Sequence, residues 1–419
     1  MLPPMVPEAA IPPAVTNDRL GALSDYPFTR LASLLAGITP RANVAPLALS
    51  VGEPQHAPPA LLTETLAAAP AADWAKYPPV AGTVELREAV AGFLARRYGL
   101  PDGFVDRDHG ILPASGTREA LFQAALLAVP REKAGRQPAV LIPNPFYAVY
   151  EGAAALAGAE PVFLPAAKET GFLPDLDALP EELLARTALF YLCTPANPQG
   201  AVADLAYLKK ALSLARRHGF VLAVDECYSE LWDRAPPPGA MQAALALGGT
   251  ANLLVFQSLS KRSSAAGLRS GFVAGDPALM RSFARLRSYA LAGMPLPAQA
   301  AAAALWRDDA HVEENRRLYR AKIDAAEAAL GGRFGFYRPA GGFFLWLDVG
   351  DGEEAARVLW REAAIRVLPG AYLTRPDPDG TNRGARYIRV ALVHDTETVA
   401  RACQRMAELL APLAAARPE

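Results

Sequence analysis

Cysteine is scarce in this sequence, and long apolar runs are absent. Three cysteines in 419 residues cannot build a disulfide framework, and none belongs to a Cys-x-x-Cys pair; such usage is typical of a reducing compartment. A membrane-spanning helix needs about 20 consecutive apolar residues, and the longest apolar runs here are far shorter. The N-terminus lacks the basic start and continuous apolar stretch of a signal peptide. We therefore expect a cytoplasmic protein that binds no membrane.

The chain also lacks an excess of either charge. Its 42 Lys and Arg side chains nearly balance 43 Asp and Glu side chains, which leaves a net charge of −1. A protein held on nucleic acid by phosphate contacts normally carries a basic excess, so we expect no nucleic-acid partner. The five histidines are scattered without metal-ligand spacing, and we predict no metal site. The first strands are not followed by Gly-x-Gly-x-x-Gly, which disfavours a nicotinamide dehydrogenase.

Composition and length indicate a folded protein of more than one domain. Hydrophobic residues make up 52% of the chain and charged residues 20%, which excludes disorder for most of its length. At roughly 100–200 residues per domain, the length corresponds to two or three domains. Five prolines between Pro3 and Pro13 predict a disordered or extended N-terminal arm.

Short apolar runs alternate with helical stretches over most of the chain. The runs predict strands over 47–52, 139–143, 188–193, 220–225, 252–257 and 271–274. Because they are continuously apolar, they fit a sheet that is covered on both faces. Helical spacing predicts helices over 117–127, 205–218 and 277–289. This alternation is typical of a mostly parallel α/β sheet.

The pattern changes near residue 300. A long polar helix over 311–330 precedes an aromatic strand pair over 334–348, which Gly341 and Gly342 interrupt. A helix over 353–364, a strand over 387–392 and a last helix after Asp395 follow. We predict an N-terminal arm and part of a small domain over 1–60, a large α/β domain over 61–300 and a small α+β domain over 301–419.

Polar side chains follow four of the predicted strands. The segments are Asn144-Pro-Phe-Tyr147, Thr194-Pro-Ala-Asn197-Pro-Gln-Gly200, Asp225-Glu-Cys-Tyr228 and Ser258-Leu-Ser-Lys261. Taken singly, Asn-Pro is ordinary turn chemistry, and a strand-terminal Asp is often a helix cap. In an open α/β sheet, however, ligands bind beyond the carboxyl ends of the strands. Four such segments in order therefore favour a ligand site at this edge.

Lys261 suggests the most specific chemistry. Burial at a strand end disfavours the charged form of a lysine, which makes a nucleophilic amine available near neutral pH. Such an amine forms a Schiff base with a carbonyl cofactor. Arg269 and the serines at 258 and 260 supply groups that a phosphate needs. The alternative is a surface lysine in a polar loop, but the flanking Ser-x-Ser-Lys and Gly-x-Arg patterns favour the functional interpretation.

These motifs resemble those of a known family. Ser258-Leu-Ser-Lys261 with Gly267-Leu-Arg269 resembles the lysine signature of the class I/II pyridoxal-phosphate aminotransferases of fold type I. The family's other motifs follow in its order, and the resemblance covers residues 20–415; they are Gly116-Thr117, Asn197-Pro-x-Gly200, Asp225-Glu-x-Tyr228 and Arg389. The resemblance implies a large domain with a mostly parallel central sheet, a smaller α+β domain and pyridoxal 5′-phosphate as cofactor.

Several residues are candidates for the cofactor phosphate. Ser115-Gly116-Thr117 opens a helix after a strand over 111–113, and its backbone N–H groups form a ready anion site. A Gly-Thr helix start is common by itself, but Ser258 and Arg269 favour the phosphate role. The resemblance implies that Tyr77 binds the phosphate of the neighbouring subunit, and therefore a homodimer with shared active sites.

Other residues are candidates for the cofactor ring and the catalytic steps. Asp225 would pair with the pyridine nitrogen and keep it protonated. Asn197 and Tyr228 resemble the pair that hydrogen-bonds the phenolic oxygen. Tyr147 resembles the aromatic side chain that stacks on the ring, although a core aromatic is a fair alternative. We assign catalytic roles to Lys261 as base and acid, and to Asp225 and Tyr228.

Arg389 is an arginine in the middle of an apolar strand. An unpaired buried guanidinium is costly, so it should have an anionic partner, and its planar fork suits a carboxylate. The resemblance implies the substrate α-carboxylate, with Gly52 allowing close approach and Asn197 contributing to the substrate site. A structural ion pair with a buried acid is the weaker alternative.

Further stretches are similar to one branch of the family, the proteobacterial succinyldiaminopimelate aminotransferases. Among them are Ser50-Val-Gly-Glu-Pro, Asn144-Pro-Phe-Tyr and His311-Val-Glu-Glu-Asn-Arg. This similarity implies transfer of an amino group between N-succinyl-LL-2,6-diaminopimelate and 2-oxoglutarate or glutamate, in lysine and diaminopimelate biosynthesis. The partners are then small amino acids and 2-oxo acids.

Other activities remain open at this stage. An aromatic or alanine aminotransferase or a β-lyase would use the same fold. A non-enzymatic pyridoxal-phosphate sensor is disfavoured, because the short Pro-rich N-terminus leaves no room for a DNA-binding domain. For the far end of the substrate, Arg30, Arg262 and Arg287 are candidate contacts, yet each is more typical of a solvated surface arginine.

Overall fold

The structure is a computed structural model that describes residues 16–42, 44–291 and 293–415. The Pro-rich arm predicted between Pro3 and Pro13 lies outside the described residues. Within these ranges, no helix is both long enough and apolar enough to cross a bilayer. The same ranges contain no group of three or more His, Cys, Asp or Glu side chains arranged to hold a metal ion.

The elements alternate along the chain much as the apolar pattern predicts. The strands are β1 (Leu47–Ala48), β2 (Ile111–Ala114), β3 (Ala139–Asn144), β4 (Glu160–Pro165), β5 (Thr187–Cys193), β6 (Val221–Asp225), β7 (Leu253–Ser258), β8 (Gly271–Gly275), β9 (Phe344–Asp348), β10 (Ile365–Arg366), β11 (Leu368–Pro369) and β12 (Tyr387–Ala391). The α-helices are α1 (Pro27–Leu35), α2 (Ala60–Ala67), α3 (Ala71–Trp74), α4 (Val84–Tyr98), α5 (Thr117–Ala128), α6 (Ala148–Ala157), α7 (Glu181–Arg186), α8 (Leu205–His218), α9 (Ala240–Ala246), α10 (Leu259–Arg262), α11 (Pro277–Ala290), α12 (Leu296–Arg307), α13 (Ala310–Leu330), α14 (Gly352–Ala363) and α15 (Thr396–Ala415).

Seven strands form the central sheet, in the order β2-β8-β7-β6-β5-β3-β4. Strands β3 to β7 pair in parallel, whereas β8 is antiparallel to both of its neighbours. The predicted α/β fold with a mostly parallel sheet is therefore confirmed. The register places Cys193 opposite Asp225 and Asp225 opposite Phe256, so the carboxyl ends of β5, β6 and β7 lie side by side.

Helices cover both faces of this sheet, which explains why its strands are continuously apolar. One core cluster joins the sheet to α4, α8, α9 and α12, and another joins the opposite face to α5, α6 and α11. Successive residues of β6 alternate between the two clusters: Leu222 and Val224 belong to the first and Ala223 to the second. The sheet is thus held rigidly, and so are the strand ends that carry the polar segments.

A second, antiparallel sheet in the order β11-β12-β9 packs with α13, α14 and α15. Strand β1 pairs in parallel with β10, so the predicted central-sheet strand over 47–52 is wrong. The chain after Ala48 has other partners: the oxygen of Leu49 accepts a hydrogen bond from the Ala391 nitrogen at 2.7 Å. The domain boundaries at 60 and 300 stay a prediction.

Two further elements differ from the sequence pattern. The aromatic strand pair predicted over 334–348 is a single strand, β9, because Gly342 turns the chain at a φ of +83° just before it. Strand β4 was not predicted, since it is an edge strand with exposed residues at both ends. Helices α5, α8, α11, α13 and α14 lie where the sequence predicts them.

Trp306→Ala should destabilise the protein by opening the core. The Trp306 ring is fully buried and lies 4.8 Å from the Phe93 ring and 5.0 Å from the Phe272 ring, centroid to centroid. Truncation of a buried tryptophan costs about 3–5 kcal/mol, and we expect a loss of this size in the free energy of unfolding, measured by urea titration. The control Leu205→Ala removes a side chain that is 40% exposed and should cost less than about 1 kcal/mol. Equal losses in the two variants would contradict the packing described.

Candidate active site

One cavity of about 500 Å³ lies beyond the carboxyl ends of the central strands. It lies between this sheet edge and residues from the second sheet, among them Phe344 and Arg389. Most of the residues predicted from sequence line it, namely Gly52, Thr117, Tyr147, Asn197, Asp225, Tyr228, Ser258, Lys261, Arg269 and Arg389. The expected convergence at the strand ends is therefore seen in the folded chain.

Lys261 sits on α10, a short helix that follows β7 directly and is capped by the Ser258 hydroxyl. Its Nζ donates to the carbonyl oxygen of Gly52 and lies 5.4 Å from the centre of the Phe343 ring. Burial disfavours the ammonium form and lowers the pKa of Lys261 to about 8. The neutral, nucleophilic form of the amine is therefore more accessible near neutral pH than in a free lysine.

Asp225 ends β6 and is 5% exposed. Its Oδ2 accepts a hydrogen bond from the Tyr150 hydroxyl at 2.7 Å, and its Oδ1 accepts one from the Cys227 nitrogen at 3.1 Å. It forms no ion pair within the described residues, and burial raises the pKa of the carboxyl. A cationic N–H group from a ligand would supply the missing positive charge.

An anion cradle forms where α5 begins. Gly116 precedes the helix with a φ of +86°, and no side chain of the described residues caps the first turn. A Cβ on Gly116 would stand 2.2 Å from Nη2 of Arg269, so the glycine is what lets the guanidinium reach this helix end. The Glu119 carboxylate accepts from the Ser115 nitrogen at 3.1 Å, which leaves the next amides of the turn for an anion. Ser258 completes the cradle on the side of α10.

Arg389 projects from the middle of β12 and is 5% exposed. Its Nη1 donates to Oδ1 of Asn197 at 3.2 Å and its Nη2 to the Ser50 oxygen at 2.7 Å, while Nε has no partner among the described residues. Burial lowers the pKa of this guanidinium to about 10. No carboxylate of the described chain pairs with it, so the structural ion pair considered from sequence is not formed.

Tyr147 and Tyr228 form aromatic walls of the cavity. The Tyr147 hydroxyl accepts from Nε of Arg118 at 2.7 Å, and its ring meets the Tyr150 ring edge to face. The Tyr228 ring packs edge-on against Phe343 and Phe344. Both rings therefore have fixed orientations beside Asp225 and Arg389.

Ser115 and Gly116, at the start of α5, are not among the residues that line the cavity, and neither is Tyr77. Its side chain is 99% exposed and does not line the cavity of its own chain. Trp74 and Tyr289 are also unusually exposed, at 62% and 88%.

Sequence reasoning missed Arg118 and Tyr150. Arg118 follows Thr117 on α5, lines the cavity and has no acidic partner in the described chain. Its position next to the predicted Gly-Thr pair was a usable signal. Tyr150 stands one turn after Tyr147, but nothing in the sequence ties it to Asp225.

The arginines considered for the far end of the substrate do not line the cavity. Arg262 and Arg287 are buried rather than solvated, each 1% exposed. Arg262 pairs with Asp309, and Arg287 donates to the oxygen of Pro113. Arg30 lies over the Tyr372 ring at 4.0 Å.

Comparison with known proteins agrees with this geometry. The family profile "Aminotransferase class I and II" matches residues 45–406. The chain is similar to the structure of an aminotransferase from Neisseria meningitidis Z2491, with 42% identity and a TM-score of 0.89 over 94% of this chain and 100% of that one. It is 35% identical over 361 residues to the 4-dedimethylamino-4-oxo-anhydrotetracycline transaminase OxyQ of Streptomyces rimosus, covering 85% of this chain and 92% of that protein. It is 30% identical over 404 residues to an LL-diaminopimelate aminotransferase of Syntrophobacter fumaroxidans, covering 94% and 99%. The chain therefore belongs to the class I and II aminotransferases, enzymes that depend on pyridoxal 5′-phosphate.

Proposed function

We propose that this aminotransferase moves an amino group between N-succinyl-LL-2,6-diaminopimelate and 2-oxoglutarate. The observation that carries the proposal is that two guanidinium groups line the same cavity, those of the buried Arg389 and of Arg118. Neither has an acidic partner in the described chain. Both proposed substrates carry carboxylates at two ends. The similarity to LL-diaminopimelate aminotransferases supports a donor of this chemistry.

The cavity suits the cofactor at three points, and the charged groups at these points form no ion pair within the described chain. The cradle of Gly116, Arg269 and Ser258 would hold the phosphate, Asp225 would face the pyridine nitrogen, and Lys261 would bond to the aldehyde. Tyr147 would cover the ring, and Asn197 and Tyr228 would hydrogen-bond the phenolic oxygen. The bound cofactor supplies a ring that accepts electrons from the carbon losing its proton.

Lys261 would carry the proton in the transfer step. A pKa near 8 would let Nζ take the proton from the donor's α-carbon and deliver it to the cofactor carbon that keeps the transferred nitrogen, because both protonation states of Nζ are accessible near neutral pH. The Gly52 carbonyl holds this nitrogen inside the cavity.

Arg389 would bind the α-carboxylate of each substrate. Its unpartnered Nε and the fork beside Asn197 suit a carboxylate. Gly52 keeps the opposite wall clear, since a Cβ there would stand 2.5 Å from the Phe344 ring. Binding at this point would orient the α-carbon toward Lys261.

Exposed aromatics support a homodimer. Tyr77, Trp74 and Tyr289 give the surface an aromatic character that a partner subunit would cover. Gly293, which follows α11, packs closely against Pro78, the residue next to Tyr77. A Cβ atom on Gly293 would lie only 2.8 Å from the Pro78 side chain. In such a dimer, Tyr77 would bind the phosphate of the partner subunit's cofactor, as the family resemblance implies.

A panel of amino donors with 2-oxoglutarate tests the proposed substrate. We expect the highest kcat/KM with N-succinyl-LL-2,6-diaminopimelate, compared with free LL-diaminopimelate, phenylalanine and alanine. Free LL-diaminopimelate is the second candidate, because relatives that carry its name cover almost the whole chain. A faster reaction with any of the other three would overturn the succinylated donor but keep the transaminase. Release of pyruvate or ammonia from a sulfur amino acid, without amino transfer, would indicate a β-lyase instead.

Arg118→Gln should weaken selection of a distal carboxylate. A hydrogen bond to a charged group is worth about 1.5–3 kcal/mol, or about 10- to 100-fold. We expect the kcat/KM ratio of 2-oxoglutarate over 2-oxovalerate, which has a methyl group at the far end, to fall by that factor. Arg131→Gln, at an exposed arginine outside the cavity, is the matched control. An unchanged ratio in Arg118→Gln would remove Arg118 from the substrate site.

A further inference from the structure

Asn315 lies on α13 behind the cavity, in the stretch His311-Val-Glu-Glu-Asn315, to which the proposed function gives no role. It is 6% exposed and does not line the cavity. Its Nδ2 donates to the carbonyl oxygens of Lys261 at 2.9 Å and Arg262 at 3.1 Å. Since carbonyls only accept, these two contacts fix which end of the amide is nitrogen.

These two carbonyls belong to the last turn of α10, the helix that carries Lys261. A helix leaves its final carbonyls without intrahelical donors, and α10 has only four residues. Within the described chain, Asn315 is the donor that reaches both oxygens. Its side chain therefore fixes the backbone from which the Lys261 side chain extends.

The other end of the Asn315 amide reaches the segment that carries Gly52. Oδ1 accepts from the Ser264 hydroxyl at 3.2 Å and lies 3.3 Å from Nδ1 of His56, four residues after Gly52. Gly52 is the residue whose carbonyl accepts from Lys261 Nζ. One amide thus contacts the backbone of Lys261 and the loop that receives its side chain.

Lys322 orients the histidine in this chain of contacts. Its Nζ is in contact with Nε2 of His56 and donates to the Val393 oxygen at 3.1 Å. An ammonium only donates, so Nε2 accepts and the ring proton is on Nδ1, where it faces Asn315. Burial and the nearby Lys322 lower the pKa of His56, in keeping with a neutral ring. Glu314 and Asp395 are the acids whose charges act on His56 and Lys322, respectively.

We propose that Asn315 is a positioning residue for amino-group transfer: it joins the backbone of Lys261 to the His56 loop and so keeps Nζ aimed into the cavity. It touches neither substrate nor cofactor and acts through Lys261. The proposal rests on the transaminase activity and is independent of which donor is preferred.

Asn315→Asp tests this with little change in volume, because it keeps the Oδ1 acceptor and removes the donor to the two carbonyls. Misplacement of a reacting group by about 1 Å costs on the order of 10²-fold, so we expect kcat to fall about 10-fold or more while KM stays within about 2-fold. The donor is whichever amino acid the wild type uses fastest, so failure of the succinylated substrate leaves the test intact. A slower uptake of pyridoxal 5′-phosphate by the apo-protein, followed by absorbance, should accompany the loss.

Asn252→Asp is the matched control. Asn252 precedes β7, at the end opposite Lys261, and its Nδ2 donates to the Phe220 oxygen at 2.9 Å. Loss of this hydrogen bond should lower the thermal stability of the protein without changing kcat or the rate of cofactor uptake. If Asn315→Asp does not fold, Ser264→Ala removes a single contact to Oδ1 and should reduce kcat in the same direction by a smaller factor. Wild-type kcat and uptake rate in a folded Asn315→Asp or Ser264→Ala protein, or equal losses in Asn252→Asp, would overturn the proposal.

Discussion

Four cations line the cavity at one edge of the central sheet with no acid of the described chain paired to them: Arg118, Lys261, Arg269 and Arg389. Burial lowers the pKa of Lys261 to about 8 and that of Arg389 to about 10. Burying charge without a partner is costly, so Lys261 and Arg389 are held in place by the strands and helices around them. The cost is offset when a phosphate and a carboxylate enter, which is the condition under which an aminotransferase works.

The net charge of the whole chain does not reveal this local excess of positive charge at the cavity. A net charge of −1 argues against a polyanionic partner, yet it averages over distant segments that the fold brings together. The parallel register aligns the ends of β5, β6 and β7, which places Asn197, Asp225 and Lys261 around one cavity. Arg389 lies on the second sheet. The backbone segment of Ser50 and Gly52 contacts both sides of the cavity, because the Ser50 oxygen accepts from Arg389 and the Gly52 oxygen accepts from Lys261.

Much of this arrangement was predictable, because parallel strands bring their carboxyl ends to one edge. The sequence marks these residues because each is polar or charged where the neighbouring strand residues are apolar. Asp225, Asn197 and Lys261 stand at or after the ends of apolar strands, and Arg389 lies within one. Arg118 was missed because an arginine in the first turn of a helix looks like any solvated side chain. The short extent of β1 was missed because its apolar continuation packs against the second sheet, and pairing across hundreds of residues leaves no local signal.

Lys261 is the residue to which we expect the cofactor to be covalently attached. Borohydride reduction of the protein loaded with pyridoxal 5′-phosphate, followed by proteolysis and mass spectrometry, locates that bond directly. We expect one phosphopyridoxyl group per chain, on the peptide that contains Lys261. Labelling of another lysine, such as the buried Lys322, with Lys261 unmodified would contradict this assignment.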